Sequence, residues 1–174
     1  MELFQLKQKT AVITGGASGL GYSIASGFGE AGANLILLDA DDNKLNLAKE
    51  KLIKEGYNCE VYQVDITNAE IVKNVSEQIK QVDVLVNSAG INIRKSAMDL
   101  IVEEYQKVLD VNLTGTFLTC KIFGEKMVAQ QRGSIINIAS IHSHVTMKNQ
   151  SAYASTKGGV MQLTKVLALE FASH

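Results

Sequence analysis

At 174 residues the chain has the length of one domain and can bury a sizeable core. Hydrophobic residues make up 46%, charged residues 20%, and the formal net charge is -1, which excludes a disordered chain and a polybasic nucleic-acid surface and leaves a small molecule as the expected partner. No apolar run reaches membrane-spanning length, and the start MELFQLKQKTAVITGG lacks the pattern of a signal peptide, so no membrane association and a cytoplasmic location are expected.

Taken in chain order, short apolar runs alternate with longer amphipathic ones. TAVITG, ANLILLD, CEVYQVD, VDVLVNSAG and GSIINIAS each end in Gly, Asp, Ser or Asn and have the composition of buried parallel strands. Between them, GYSIASGFGEAG, DDNKLNLAKEKLIKEG, NAEIVKNVSEQIKQ, the long EEYQKVLDVNLTGTFLTCKIFGEKMVAQQ and QSAYASTKGGVMQLTKVLALEFAS carry apolar residues at three- and four-residue intervals, as crossover helices do. Strand and helix in alternation imply a doubly wound α/β fold, with a parallel sheet covered on both faces. Gly56 and Gly133 each follow a helical pattern and are expected as left-handed helix caps. Cys59 and Cys120 are expected as buried reduced thiols, and Met98, Met127, Met147 and Met161 as fillers of core or pocket gaps. The sequence contains no proline and no tryptophan, and no repeat, low-complexity tract or interdomain linker interrupts it.

Directly after the first strand, TGGASGLG (Thr14 to Gly21) opens the first helix. Glycines there let the backbone approach a diphosphate, and the helix start supplies unpaired N–H groups and the positive end of the dipole. Asp39, some twenty residues further on at the end of the second strand, is placed to accept from the adenosine ribose hydroxyls and to repel a 2′-phosphate, which favours NAD over NADP. Lys44 is the one nearby cation able to weaken that preference; a plain helix-capping or turn role for Asp39 is the alternative. Asp65 and Ile66 follow the third strand and suit the flank of an adenine ring. Asn87, in NSAG, either meets the cofactor or ties down the loop. In such a sheet these polar strand ends face one crevice.

With TGGASGLG, NSAG, VNLTG, NIAS and YASTK in this order, the sequence resembles the short-chain dehydrogenase/reductase family over nearly its whole length. The resemblance implies a Rossmann-like sheet of strand order 3-2-1-4-5, one NAD-binding domain over 1–174 with a catalytic helix at 151–172, and a catalytic set of Asn112, Ser140, Tyr153 and Lys157. The cofactor-binding set is Gly15, Ser18, Gly19, Leu20, Gly21, Asp39, Asp65, Ile66, Asn87, Ala89 and Gly90, together with Tyr153 and Lys157. In chemical terms, an ammonium one helical turn from a phenol stabilises the phenolate, so that Tyr153 can take or return the alcohol proton. Ser140 donates to the substrate oxygen, and Asn112 is assigned a water that connects Lys157 to solvent. His142 and His144 fall where a substrate loop is expected, with contact to substrate open for either, while His174 is expected to fray.

The stretch AGINIRKSAMDL is similar to gluconate 5-dehydrogenase and related sugar-acid dehydrogenases; there Arg94 and Lys95 either pair with a substrate carboxylate or are solvated loop charges. The expected activity is NAD-dependent interconversion of a secondary alcohol and a ketone. The alternatives are a dinucleotide-binding remnant without turnover and a 3-oxoacyl carrier-protein reductase. ALEFASH closes the sequence before the two further strands, substrate-covering segment and proline-glycine turn usual in the family. Adenosine-side binding is therefore expected to survive better than turnover, and the uncovered strand SIINIAS to give either a homo-oligomer or a marginally stable chain.

Overall fold

The computed structural model describes residues 4–173; His174 lies outside them. Five strands, β1 (Thr10–Thr14), β2 (Asn34–Asp39), β3 (Cys59–Gln63), β4 (Val84–Asn87) and β5 (Ser134–Asn137), form one parallel sheet in the order β3-β2-β1-β4-β5. Ala11 aligns with Leu35 on one side and Val84 on the other, Leu35 with Cys59, and Val84 with Ser134. The strands are four to six residues long, shorter than the apolar runs that contain them.

The helices are α1 (Gly19–Glu30), α2 (Asp42–Lys54), α3 (Ala69–Gln78), α4 (Val102–Leu109), α5 (Gly115–Ala129) and α6 (Ser151–Glu170). Local chemistry sets their ends. Asp41 accepts from the Lys44 N–H to cap α2, whose last turn carries Lys51 and Lys54 against the negative end of the dipole, and Asn68 accepts from Glu70 and Ile71 to cap α3. Gly56 takes a φ of 90°, as expected of a left-handed cap. Gly133 does not: Gln131, at φ 55°, turns the chain out of α5, and a Cβ on Gly133 would lie 2.5 Å from the Met127 side chain. Close packing, not backbone hand, keeps a glycine there.

Two apolar layers sandwich the sheet. On one face Val12, Ile36, Leu38 and Leu85 meet Val72 and Val75 of α3 and Phe123 and Met127 of α5. On the other, Ala11, Ile13, Leu35, Leu37 and Val86 meet Ala25 of α1 and Leu45, Ala48 and Leu52 of α2. Cys59 and Cys120 are both buried and free, and burial pushes each thiol up to about 11. Met127 fills core as expected, but Met98 (95% exposed) and Met147 (56%) do not, since each sits in a loop with no layer above it.

The strand β5 is half-covered. Ser134 and Ile138 turn their N–H groups to Asp83 and Asn87, so strand alternation points the backbone groups of Ile135 and Asn137 to the open edge. Ile136, on the face away from α5, is 41% exposed.

Candidate active site

Between β1 and α1 the chain makes a turn whose shape depends on three glycines. A Cβ on Gly15 (φ 63°) would stand 2.7 Å from the Ala89 Cα, and one on Gly21 would stand 2.2 Å from the Gly15 carbonyl oxygen. Backbone therefore lies on backbone, and no side chain fits at either position. Gly19 differs: its φ is 54° and nothing lies within 4 Å of where a Cβ would be. Ser18 precedes α1 without capping it through its side chain, so the first-turn N–H groups face the open space above Gly19. That is a cradle for an anion.

The cradle opens into a cleft of about 770 Å³ along the carboxyl ends of the strands, lined by residues that include Gly15, Ser18, Gly19, Leu20, Gly21, Asp39, Asp65, Ile66, Ala89, Gly90, Tyr153 and Lys157. Asp39 is fixed there: its carboxylate accepts from the Ala17 N–H at 3.3 Å and the Asp41 N–H at 3.2 Å. Lys44 also lines the cleft but ion-pairs with Asp41 at 2.9 Å. Asp65 accepts from the backbone and hydroxyl of Thr67 at 2.9 and 2.7 Å, and buried Ile66 sets its end against Gly115, where a Cβ would be 2.7 Å away.

Asn87 does not reach the cleft. Buried on the α5 side of the sheet, its amide donates to Asn137 Oδ1 (2.8 Å) and accepts from the Thr119 hydroxyl (2.7 Å), with Asn137 donating in turn to Thr164 of α6. The tie-down role is the one its contacts describe. Asn112 is likewise buried, in a five-residue π-helical turn, Asp110–Thr114, that joins α4 to α5. Its side chain accepts from the Ile91 N–H (2.8 Å) and donates to the Ile91 carbonyl (2.9 Å) and the Thr156 hydroxyl (3.2 Å). Both amide protons are spent on protein atoms, so the expected water has no donor left on this side chain. Asn112 instead fixes the backbone just beyond Gly90. Thr14, unassigned from sequence although it opens the glycine motif, accepts from the Ser88 and Ala89 N–H groups at 3.2 Å each and so holds the same loop to β1.

On the β5 side of the cleft α6 presents Tyr153 and Lys157 one turn apart. Lys157 is 6% exposed; its ammonium donates to the Ile138 carbonyl at 2.6 Å and lies 5.6 Å from the centre of the Tyr153 ring. Burial pulls the Lys157 amine below its ordinary value. Ser140 caps a short 3₁₀ turn, Ile141–Ser143, after β5, and its Oγ accepts from the His142 N–H at 3.1 Å. With that lone pair engaged, the hydroxyl proton is free to be donated. His142 also packs its ring edge-on against Tyr153, centroids 5.9 Å apart, so the turn brings Ser140 and Tyr153 to one place. Among the described residues no group of three metal-ligating side chains occurs and no helix is long and apolar enough to cross a membrane.

A family model described as short chain dehydrogenase matches residues 9–174. The chain belongs to the short-chain dehydrogenase family. It is 37% identical to an NAD-dependent glycerol dehydrogenase of Listeria innocua, covering 98% of this chain and 68% of that protein. To a 5-keto-D-gluconate 5-reductase of Escherichia coli it is 34% identical, with 99% and 70% covered. The crystal structure of a gluconate 5-dehydrogenase from Burkholderia cenocepacia in complex with NADP and tartrate superposes with a TM-score of 0.93 at 30% identity, covering 97% of this chain and 68% of that one.

As a short-chain dehydrogenase the protein is an oxidoreductase, and its cleft fits a nicotinamide dinucleotide. The space over Gly19 is open to it, and Asp39, Tyr153 and Lys157 all line the cleft. Several lining residues, among them Asn92, Lys107, Val111 and Ile138, went unassigned from sequence. Val111 and Ile138 stand inside VNLTG and NIAS, near the assigned Asn112 and Ser140, whereas Asn92 and Lys107 belong to none of the five motifs and enter the cleft only through the fold.

Proposed function

We propose that this short-chain dehydrogenase interconverts a secondary alcohol and a ketone on a polyol or sugar acid with NAD as cofactor. The observation that carries the reading is the buried Lys157 ammonium beside the Tyr153 ring, in the same cleft as the Gly19 cradle. Bound in the cleft, the nicotinamide supplies the hydride acceptor or donor. In the oxidative direction the alcohol proton passes to the Tyr153 phenolate oxygen, and the Lys157 charge favours the phenolate that receives it. Ser140 donates its hydroxyl proton to the substrate oxygen and holds the carbinol in line with Tyr153. Lys157 has three donors, and only one is spent on Ile138, which leaves the others for the nicotinamide ribose and for a water.

Two contacts support the finer choices. Asp39 is pinned at the adenosine end and Lys44 is neutralised by Asp41, an arrangement that repels a 2′-phosphate and favours NAD. Lys95 is paired with Glu104 at 2.5 Å, whereas among the described residues the exposed Arg94 guanidinium meets only the Met147 sulfur, 4.0 Å away. Arg94 is therefore the better anchor for a substrate carboxylate. We further propose that the chain self-associates through the open β5 edge. Sedimentation at micromolar concentration is expected to give an oligomer, and a well-behaved monomer would count against it.

The deciding assay follows NADH formation with glycerol, threitol and gluconate, comparing NAD with NADP. Expected is turnover with NAD that Tyr153→Phe lowers by at least about a hundredfold, with NADH binding retained. NADH binding without turnover on any of these alcohols would instead fit a dinucleotide-binding remnant.

A further inference from the structure

The turn that carries Ser140 holds one side chain to which proton and hydride transfer give no task. The His142 ring stands edge-on to Tyr153, interplanar angle 88°, and its Nδ1 lies 3.2 Å from the Val145 carbonyl oxygen. A carbonyl only accepts, so Nδ1 carries the proton and Nε2 keeps a free lone pair. The turn is fastened to the site at both ends: the His142 N–H donates to Ser140 Oγ, and the Ser143 hydroxyl donates to the Lys157 carbonyl at 2.7 Å. His142 thus spans the two groups between which a substrate oxygen must sit, bonded to one through its backbone and packed on the other through its ring.

A phenyl ring would give the same edge-on packing against Tyr153. What imidazole adds is its nitrogens, and only one of them is spent on Val145. Beside the reacting oxygen, an acceptor lone pair meets whatever the substrate carries on the neighbouring carbon.

We propose that His142 is a specificity-determining residue whose Nε2 accepts from a hydroxyl on the carbon next to the one oxidised, selecting vicinal diols and hydroxy acids over simple secondary alcohols. The inference rests on the dehydrogenase reading and adds to it the feature by which substrate is chosen. A simple alcohol would give that lone pair no substrate partner, which is how a polar site discriminates against an analogue lacking one hydroxyl.

The test uses the full chain, labelled with nitrogen-15 and saturated with NAD. Its three histidines give a simple imidazole spectrum, assigned with His142→Gln and His144→Gln. Expected is an Nδ1-protonated His142 whose Nε2 resonance moves on adding glycerol and stays in place on adding 2-propanol at equal concentration. In kinetics, His142→Phe is expected to lower the ratio of kcat/KM for glycerol to that for 2-propanol roughly tenfold, chiefly through KM. His142→Gln, whose amide oxygen also accepts, should recover part of the loss. An Nε2 resonance that responds equally to both alcohols, or to neither, overturns the proposal, as does an unchanged ratio in His142→Phe. Wild-type chain that turns over no polyol would sink the dehydrogenase reading, while the Nε2 response would still decide the role of His142.

Discussion

Replacing Gly19 with alanine separates the cradle's use from its stability. At φ 54° an alanine pays the left-handed penalty, roughly 1–2 kcal/mol, but nothing lies within 4 Å to clash with the new methyl. Net destabilisation of the free chain should therefore be near 1 kcal/mol, a shift in urea midpoint of about half a molar at the usual slopes. Binding should suffer more, because the methyl occupies the space over the α1 start where a diphosphate must come close. Losing one charge-assisted bond from backbone N–H to phosphate costs about 1.5–3 kcal/mol, or roughly a ten- to hundredfold rise in Kd. Gly27→Ala is the control: Gly27 lies in the same helix, has ordinary φ and is equally unobstructed, so alanine there should stabilise slightly and leave binding alone. Urea unfolding without ligand and NADH fluorescence titration read the two quantities. If Gly19→Ala and Gly27→Ala bind NADH equally, the anion does not sit over Gly19, and the cradle argument fails.

Removing the carboxylate with Asp39→Ala should shift the ratio of NADP to NAD affinity roughly tenfold toward NADP, measured by competitive titration; an unchanged ratio would take Asp39 out of cofactor choice. Asp83, its side chain 5% exposed at the foot of β4, accepts from the Thr10 N–H at 3.0 Å and faces Lys9 and Arg132, each at 3.4 Å. Burial raises its pKa, but the Thr10, Gln81 and Lys9 donors outweigh burial and hold it below the usual range. The stability contributed by ionised Asp83 is therefore present above the unfolded value, near pH 4, and is lost as pH falls through the lower folded value. Asp83→Asn should flatten that acid limb in unfolding measured from pH 6 to pH 3, and an unflattened limb would contradict the assignment. Cys59 and Cys120, both pushed up to about 11 by burial, should react with a thiol reagent at pH 8 only as fast as the chain opens; prompt labelling of either would show that it is not buried.

Parallel strands buried on both faces leave continuous apolar runs, so the five strands and their order of appearance were legible in the sequence. The glycine turn, Asp39 and the Tyr153–Lys157 pair were legible for a related reason, because each belongs to a short segment at a strand end or on one helix face. The pattern failed where partners lie far apart in the chain. Asn112 bonds Ile91 and Thr156, and Asn87 bonds Thr119 and Asn137, contacts that no local spacing announces. Helical periodicity tolerates one extra residue in a turn, so the π-helical stretch at Asp110–Thr114 was hidden in a run that reads as one helix. Gln131 took the left-handed position in place of Gly133 because Met127 already required the glycine two residues later.

The two buried asparagines show how this site keeps its shape. Neither lines the cleft, yet Asn112 clasps both backbone groups of Ile91, and Asn87 ties the end of β4 to β5, α5 and, through Asn137, to α6. Between those two braces run Ser88, Ala89 and Gly90, which form the cleft floor, held from below by the Thr14 hydroxyl. A backbone fixed at three places presents its carbonyls and N–H groups to a ligand at constant positions, and one of those three braces runs to Asn137 of the half-covered strand β5. Ser140 and Tyr153, the proposed proton-handling pair, hang from the less covered side, at the end of β5 and on α6, where the 3₁₀ turn through His142 provides a direct link between them.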